Sequence, residues 1–572
     1  VDKMEIYASK FWTKNYDKHV KPSLDYPTEG LGKIFDEKMK DAAENNMIAC
    51  WFMDREIGYK ELRDMCHRLA TFLQKNGFKK GDVVAINLPN CPQYLVANFG
   101  CFLAGGVTSG CSALLSQDEM EYQLKDSNTK AIITLDAIYQ HRLRPILSKL
   151  PNLKIIITTN ISEYMGFSGF KVFLGKLLGK IPKGKVKPYP GRKVAWFKEV
   201  MFTTPDFKEV SIDVENDLAC LQYTGGTTGR PKGTRLTHKN IAANLLQWQN
   251  WADFHDEMAC SGFPAFHIAG LLVVHAAVYT QSKQILIANP RDTDHIIEEW
   301  IEKKPTILAN VPTLYNMIVN NKKSKKIPKS ALDNIKVYVS GAAPFPAEAI
   351  KDFEKAMKAE GKVMEVYGQT ETSPLVTANP YLGEKKIGKV GLPLQDTEIK
   401  IIDIETGEPV ELGKPGELLF RGPQVTKGYH NKPEATAKTI EPDGWLHTGD
   451  VGTMDEDGHI QIVDRVKDMI IVSGFKVYSV HVEDVLTKHD AIEIAALVGI
   501  PDKSRPGSEI VKCYIMLKEG VKLTEELKEE IKKFADENLS KYEKPKIWEF
   551  REDLPLTTVG KVLKRELRDE IK

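Results

Sequence analysis

The sequence predicts an α/β protein with a large N-terminal domain of parallel-rich sheets and helices, a β-rich subdomain within it, and a small α+β C-terminal domain. Three observations predict this. From about Tyr59, short β-branched runs alternate with amphipathic stretches, the pattern of strands and helices in a largely parallel sheet. After about Gly388 the texture changes to closely spaced strands separated by turns, and near Asp464 it changes again. A chain of 572 residues also exceeds what one hydrophobic core holds.

Taken in order, Tyr59–Asn76 and Tyr94–Ala104 read as helices, and Val83–Asn87, Ala131–Thr134 and Ile155–Thr158 as strands. The same alternation returns at Gln284–Ala288, Asp294–Lys303, Ile307–Asn310, Pro312–Asn320, Lys336–Ser340 and Ala347–Lys358. Glu398–Ile404, Gly416–Arg421 and His459–Val463 then read as strands of a subdomain spanning about 388–465. The expected large domain is 1–465 and the small one 466–572, the latter with Val482–His489, Ala495–Val498, Val511–Leu517 and a charged helix at Glu525–Leu539. The segment Gly166–Lys198 stands apart, because it interleaves lysines with Phe167, Phe170, Phe173, Leu174, Leu177 and Leu178 and contains no acid. Such a composition suits an anionic bilayer surface; an ordinary basic insertion packed on the parent domain is the competing expectation.

Lys plus Arg number 79 against 78 Asp plus Glu, so no net field draws the chain to nucleic acid. The eight cysteines form no CxxC pair and several sit in apolar stretches, which suits reduced, buried thiols and a cytoplasmic setting. The N-terminal VDKMEIYASKFW lacks the apolar stretch of a secretory signal, and no run reaches the ~18 apolar residues of a membrane span. Ile268–Tyr279, the richest apolar stretch, contains His275 and reads as a buried element.

Tyr223–Gly233, YTGGTTGRPKG, is built to surround phosphate. Gly225, Gly226, Gly229 and Gly233 let backbone N–H groups approach an anion, Thr224, Thr227 and Thr228 add hydroxyls, and Lys232 adds charge. It is not a Walker A loop, since Arg230 and Pro231 intervene before Lys232 and Gly233 follows it. A strand ending at Tyr223 and a helix starting at His238 are expected to flank it.

Further motifs follow in order: FPAFHIAG at Phe263–Gly270, SGAAPFP at Ser340–Pro346, YGQTE at Tyr367–Glu371, GWLHTGD at Gly444–Asp450, DRVKDMIIVSG at Asp464–Gly474 and PLTTVGK at Pro555–Lys561. Together they resemble the adenylate-forming superfamily of acyl-CoA synthetases, firefly luciferase and peptide-synthetase adenylation domains, over about Tyr59–Arg565. The resemblance implies a mobile small domain and two steps. A carboxylate attacks the α-phosphate of Mg-ATP with release of pyrophosphate, and a thiol, here CoA, captures the acyl adenylate.

By the same resemblance, Thr224–Lys232 holds the β- and γ-phosphates, Glu371 and Thr227 serve Mg²⁺, and Thr370 lies near the α-phosphate and the substrate carboxylate. Asp450 and Arg465 contact the ribose, while Tyr367, Gly368 and the Gly341, Ala342 and Ala343 backbone wall the adenine. Lys561 bridges the carboxylate and the α-phosphate in the first step, as a compact charge on a long stem can. Lys467 matches the hinge about which the small domain rotates, and Gly474 the thiol tunnel. His267 corresponds to a gate beside the acyl carboxylate, with Ile268, Gly270, Leu271 and Val311 as apolar walls.

Three positions depart from the pattern. Gly225 stands where Ser is frequent, and Ser479 and His481 replace the usual Pro and Glu of YSVHVE, which puts the packing of the small domain in question. The insertion at Gly166–Lys198 resembles that of long- and medium-chain fatty-acid ligases, so a fatty acid is the expected substrate. An aryl or cinnamate-type acid, an enzyme that stops at the acyl adenylate, and a non-catalytic membrane-bound acyl binder are the alternatives.

Overall fold

Val83–Asn87, Ile155–Thr159 and Ile307–Asn310 are buried along their whole length, as apolar runs without alternation require of strands covered on both faces. The computed structural model, which describes residues 3–224, 230–505, 507–556 and 562–571, places them in two large sheets. The seven-stranded sheet runs in the order Lys193–Trp196, Ile155–Thr159, Thr129–Leu135, Val83–Asn87, Val107–Gly110, Leu218–Thr224, Lys232–Thr237. It is parallel except at its last pair. The nine-stranded sheet runs Leu392–Pro393, Leu375–Ala378, Val363–Gly368, Val337–Ser340, Ile307–Asn310, Met258–Ser261, Lys283–Leu286, Ile48–Phe52, Arg55–Gly58. Its interior is parallel and its edges antiparallel.

One apolar cluster joins the facing sides of these sheets through the helices Leu31–Glu44, Tyr59–Lys75, Pro92–Leu103, His238–Ala252 and Ile268–Tyr279. Pro92–Leu103 is buried at every position, which explains its apolar character all round. The outer face of the nine-stranded sheet is covered by Thr293–Lys303, Pro312–Asn320 and Ala347–Met357 around Trp300, Tyr315 and Phe353. All eight cysteines are buried and unpaired, and burial pushes several thiols up, Cys91 and Cys220 to about 12.

An antiparallel sheet of Glu398–Ile402, Gly416–Arg421, Leu446–Met454 and Ile460–Arg465 follows. Beyond Arg465 the chain builds a separate core from Val477, Leu486, Leu497, Cys513 and Ile531. Here Ile492–Pro501, Glu509–Leu517 and Ile547–Arg551 form a three-stranded sheet flanked by Ser479–Leu486 and Glu525–Asn538. The helix Lys564–Asp569 packs on its Ile492–Pro501 strand. The architecture is thus the α/β arrangement expected, with strands the sequence does not announce at Lys232–Thr237 and Leu446–Met454. Among the described residues no helix is long and apolar enough to cross a membrane.

Candidate active site

The phosphate-loop motif connects two strands. Leu218–Thr224 and Lys232–Thr237 pair antiparallel with Thr224 opposite Lys232, and residues 225–229 fall between them in the chain. Those five residues lie outside the described ones. Lys232 sits at the hairpin's open end with its ammonium 4.2 Å from the ring centre of Tyr429, a cation held against an aromatic face. The phenol of Tyr429 donates to Glu371 Oε1 at 2.7 Å. Thr370 and Glu371 form a short 3₁₀ turn, and the Glu371 carbonyl accepts from Thr426 N–H at 2.8 Å. Tyr429 carries no assignment in the sequence; its only signal there is a Gly-Tyr-His turn before a PEAT helix start.

Of the residues expected to hold the nucleoside, Gly341–Ala343, Tyr367 and Gly368 lie at the C-terminal ends of neighbouring parallel strands, where open α/β sheets present a ligand crevice, and Asp450 and Arg465 reach them from the antiparallel sheet. Val337–Ser340 leads into Gly341–Ala343, and Val363–Gly368 ends at Tyr367 and Gly368. Ala342 adopts φ 64, a left-handed conformation that a non-glycine residue takes at a cost, as functional turns often do. At Gly368 a Cβ would lie 1.7 Å from the Pro374 carbonyl oxygen, so only glycine fits. Asp450, 5% exposed, receives the Tyr367 hydroxyl at 2.6 Å and Gln369 Nε2 at 2.9 Å on Oδ2, and Arg465 Nε lies 3.3 Å from Oδ1. Burial and the adjacent Asp450 charge push the Tyr367 phenol far up, so it stays a donor. Burial opposes the charge of Arg465, but Asp450, Asp468 and Glu371 outweigh it.

His267 caps the helix Ile268–Tyr279. Its Nδ1 accepts from Ala269 N–H at 3.2 Å, so in the neutral ring the proton resides on Nε2. The preceding loop is held by Asn90, whose amide donates to Phe263 O and accepts from Ala265 N–H. Tyr94 donates to Ala265 O at 2.7 Å, and Gln222 donates to Phe266 O. Behind this loop lies a small cavity of about 20 Å³. Leu95, Phe263, Gly270, Val273, Val274 and Ile285 are among its walls.

Of the four expected acyl walls only Gly270 lines this cavity. Ile268 and Leu271 are buried in the main core, and Val311 packs against both apolar clusters as the residue before Pro312–Asn320. The helix presents positions 270, 273 and 274, spaced as one helical face, to the cavity. Gly270 does not widen it. A Cβ there would lie 2.1 Å from Pro264 O, so glycine is required by the loop's close approach.

At the start of the small domain, Asp464 is buried and accepts from both the backbone N–H and the hydroxyl of Ser479. Proline, which the family resemblance leads one to expect there, has no N–H to give. The Ser479 hydroxyl in turn receives Lys564 Nζ at 2.7 Å, and the same ammonium lies 2.7 Å from Glu483 Oε1, which also accepts from Leu497 N–H. Burial opposes charge on Lys564, but Glu483, Asp464 and Asp468 outweigh it and hold the ammonium above its ordinary range. His481 is 3.8 Å from Glu543 at the surface. Burial, with Arg465 beside it, brings Lys467 down to about 8. Gly474 forms the tip of the hairpin Ile470–Val472/Phe475–Val477, where Ser473 (φ 52) and Gly474 (φ 85) make the two-residue turn with both angles positive. Lys561 lies outside the described residues.

Among the described residues no cluster of three or more His, Cys, Asp or Glu side chains is arranged to hold a metal. Glu371 nonetheless fits a hard cation arriving with phosphate. One oxygen is engaged by Tyr429, and among the described residues the other receives no hydrogen bond.

Comparison with known proteins agrees with this geometry. Residues 36–430 match the model of the AMP-binding enzyme family and residues 481–561 that of the AMP-binding enzyme C-terminal domain. The chain is 36% identical to a long-chain-fatty-acid–CoA ligase of Bacillus subtilis over 578 residues, covering 99% of each. It is 30% identical to 4-coumarate–CoA ligase 1 of Arabidopsis thaliana over 526 residues, 90% of this chain and 87% of the relative. Among solved structures, ATP-bound MatB from Rhodopseudomonas palustris superposes with a TM-score of 0.80 at 26% identity, covering 95% of this chain and 99% of that one. With the Asp450–Tyr367 pair at the strand ends, the Lys232 hairpin braced against Glu371 and two family domains in tandem, the chain belongs to the AMP-binding enzyme family.

Proposed function

We propose that the protein is an AMP-forming fatty-acid–CoA ligase, converting a fatty acid, ATP and CoA to acyl-CoA, AMP and pyrophosphate. The near full-length likeness to a long-chain-fatty-acid–CoA ligase carries the reading. The apolar character of the cavity behind the Phe263–Ala265 loop agrees with it, because its polar lining is turned to the protein. Asn90 and Tyr94 are spent on the Phe263–Ala265 backbone, and Ser261 donates to Ala309 O. What remains is apolar, as an alkyl tail requires, and at about 20 Å³ the walls must part to admit one.

In this reading Lys232 and the loop before it neutralise the β- and γ-phosphates, and Asp450 accepts from the ribose hydroxyls through lone pairs that Tyr367, Gln369 and Arg465 leave over. His267 offers Nε2–H toward the acyl carboxylate as an orienting donor. No general base is needed, since a carboxylate is already a nucleophile and the transfer depends on positioning. Glu371 and Thr227 would hold Mg²⁺, which when bound would spread the charge of the phosphates. Lys561 approaches the α-phosphate from the small domain, which begins at residue 466 and turns about Lys467 before Gly474 meets the thiol.

We further propose that 166–198 rests on an anionic bilayer at the inner face of the membrane. The helix Gly169–Leu177 has no buried residue. Phe170, Phe173, Leu174, Leu177 and Leu178, at helical spacing, are all exposed, Phe170 by 76%. Nine Lys and Arg and no Asp or Glu occupy the segment.

The 4-coumarate–CoA ligase likeness favours an aryl acid as the second reading. A panel of alkyl and aryl acids scored by ATP- and CoA-dependent AMP formation tests the substrate. The highest kcat/KM is expected with an unbranched fatty acid; preference for a cinnamate-type acid transfers the assignment to the second reading.

A further inference from the structure

Lys232 lies in the seven-stranded sheet and Glu371 in a turn between two strands of the nine-stranded one, yet the chemistry proposed above needs a phosphate-facing cation and a metal-facing carboxylate at a fixed spacing. One segment ties them. Tyr429 pairs with Thr234 in an antiparallel bridge, His430 N–H donates to Gly233 O at 2.8 Å, and Arg235 N–H donates to Gly428 O at 3.0 Å. Thr426, three residues earlier, donates its N–H to Glu371 O at 2.8 Å and its hydroxyl to Arg235 O at 2.5 Å. The backbone on either side of Tyr429 is therefore fastened both to the hairpin that carries Lys232 and to the turn that carries Glu371.

The Tyr429 side chain repeats this link where charge matters. Its ring, 7% exposed, supports the Lys232 ammonium at 4.2 Å from its centre, and its hydroxyl holds Glu371 Oε1 at 2.7 Å. Burial and the nearby carboxylate keep the phenol protonated, so it donates. Donation to a carboxylate enriches the ring in electrons, which strengthens its hold on a cation over its face. It also fixes which Glu371 oxygen is spent, leaving Oε2 for another partner.

We infer that Tyr429 is a positioning residue that sets Glu371 Oε2 for the nucleotide-borne divalent cation while holding Lys232 for the phosphates of the same nucleotide. This rests on the reading that Glu371 meets the cation. No substrate contact is required of Tyr429 itself.

The test measures binding without turnover in the full chain, with no carboxylic acid present. Mn²⁺ is followed by its electron paramagnetic resonance signal in the presence of ATP, and ATP alone is titrated by calorimetry in EDTA. Y429F keeps the ring and loses the hydroxyl. It is expected to weaken Mn²⁺ in the ternary complex about tenfold or more, as loss of one hydrogen bond to a charged group does, with metal-free ATP binding within about twofold of the parent. Y429L, lacking both features, is expected to weaken metal-free ATP binding as well. E371Q serves as reference and is expected to lose at least as much Mn²⁺ affinity as Y429F. Parent-like Mn²⁺ binding by Y429F beside a defective E371Q overturns the role of Tyr429 alone. Parent-like Mn²⁺ binding by E371Q overturns the reading of Glu371 and the inference with it. An equal loss of metal-free ATP binding in Y429F and Y429L also overturns the inference, since the hydroxyl then supports the fold of the site as a whole.

Discussion

The Tyr367 hydroxyl lies 2.6 Å from Asp450 Oδ2, joining the end of a parallel strand in the nine-stranded sheet to a strand of the antiparallel subdomain. The proposed adenine wall and ribose acceptor are thus one hydrogen-bonded unit. Gln369, which no motif role singles out, completes it by reaching both Asp450 and the Thr448 carbonyl.

Removing this bond should loosen the nucleotide. Y367F is expected to raise KM for ATP about tenfold, consistent with ~1.5 kcal/mol for a hydrogen bond to a charged group, with KM for the acid unchanged. Acid-dependent exchange of labelled pyrophosphate into ATP at varied ATP reads this directly. A KM for ATP equal to the parent's assigns the bond to folding only.

Lys561→Ala is expected to lower acid-dependent pyrophosphate release by at least about 100-fold while thioester formation from supplied acyl adenylate stays near the parent rate. The two half-reactions, assayed separately, decide it; parallel loss in both contradicts the assigned role.

Lys564→Met leaves Glu483 buried without its cation, for which roughly 3–5 kcal/mol of destabilisation is expected in the small domain. Hydrogen exchange at Leu497 and its strand neighbours should accelerate, and adding Glu483→Gln should recover part of the loss. Protection unchanged in the single variant means the pair contributes nothing net.

Acid should weaken the large domain through its buried imidazoles. Burial lowers His238 to about 4 and His275 to about 3, from an ordinary 6.5. Depressed values favour the neutral ring in the folded state, so their stabilisation is complete above pH 6.5, declines as pH falls below it, and is fully lost once pH has fallen through 4 for His238 and 3 for His275. For His238 the shift corresponds to about 3 kcal/mol. Urea unfolding from pH 7 down to pH 4.5 should show the decline. His275→Gln, which keeps an acceptor for Asn98 Nδ2, should flatten it.

The exposed stripe on Gly169–Leu177 predicts that the paired substitutions Phe170→Asp and Phe173→Asp reduce cosedimentation with phosphatidylglycerol vesicles about tenfold or more, from lost apolar insertion and added negative charge. Binding to neutral phosphatidylcholine should be weak in both proteins. Equal sedimentation of variant and parent removes the bilayer proposal.

Much of the fold is legible because its strands are short apolar runs between turns. Val83–Asn87, Ile307–Asn310 and Gly416–Arg421 have the bounds their composition predicts, and Pro312 marks a helix start where proline is tolerated. Lys232–Thr237 is illegible for the opposite reason: KGTRLT offers no apolar run, and its strand character comes from pairing with Leu218–Thr224. Which residues of Ile268–Tyr279 face the cavity is illegible because the helix is apolar on all sides, so periodicity cannot say which face meets it. Tyr429 is hidden by distance, 58 residues from Glu371. Ser479 looks like a defect until Asp464 is seen to use the N–H that a proline lacks.

Asp464 precedes Lys467, and Ser479 follows it. A swivel about Lys467 that leaves Asp464 in its strand must therefore part the two and disturb the Lys564 ammonium shared with Ser479. The apolar cores on either side of Arg465 are separate and need not be opened. Under the proposed rotation the seam that opens is one of polar bonds traded for water, and passage across it should carry little change in heat capacity, unlike the parting of oily surfaces.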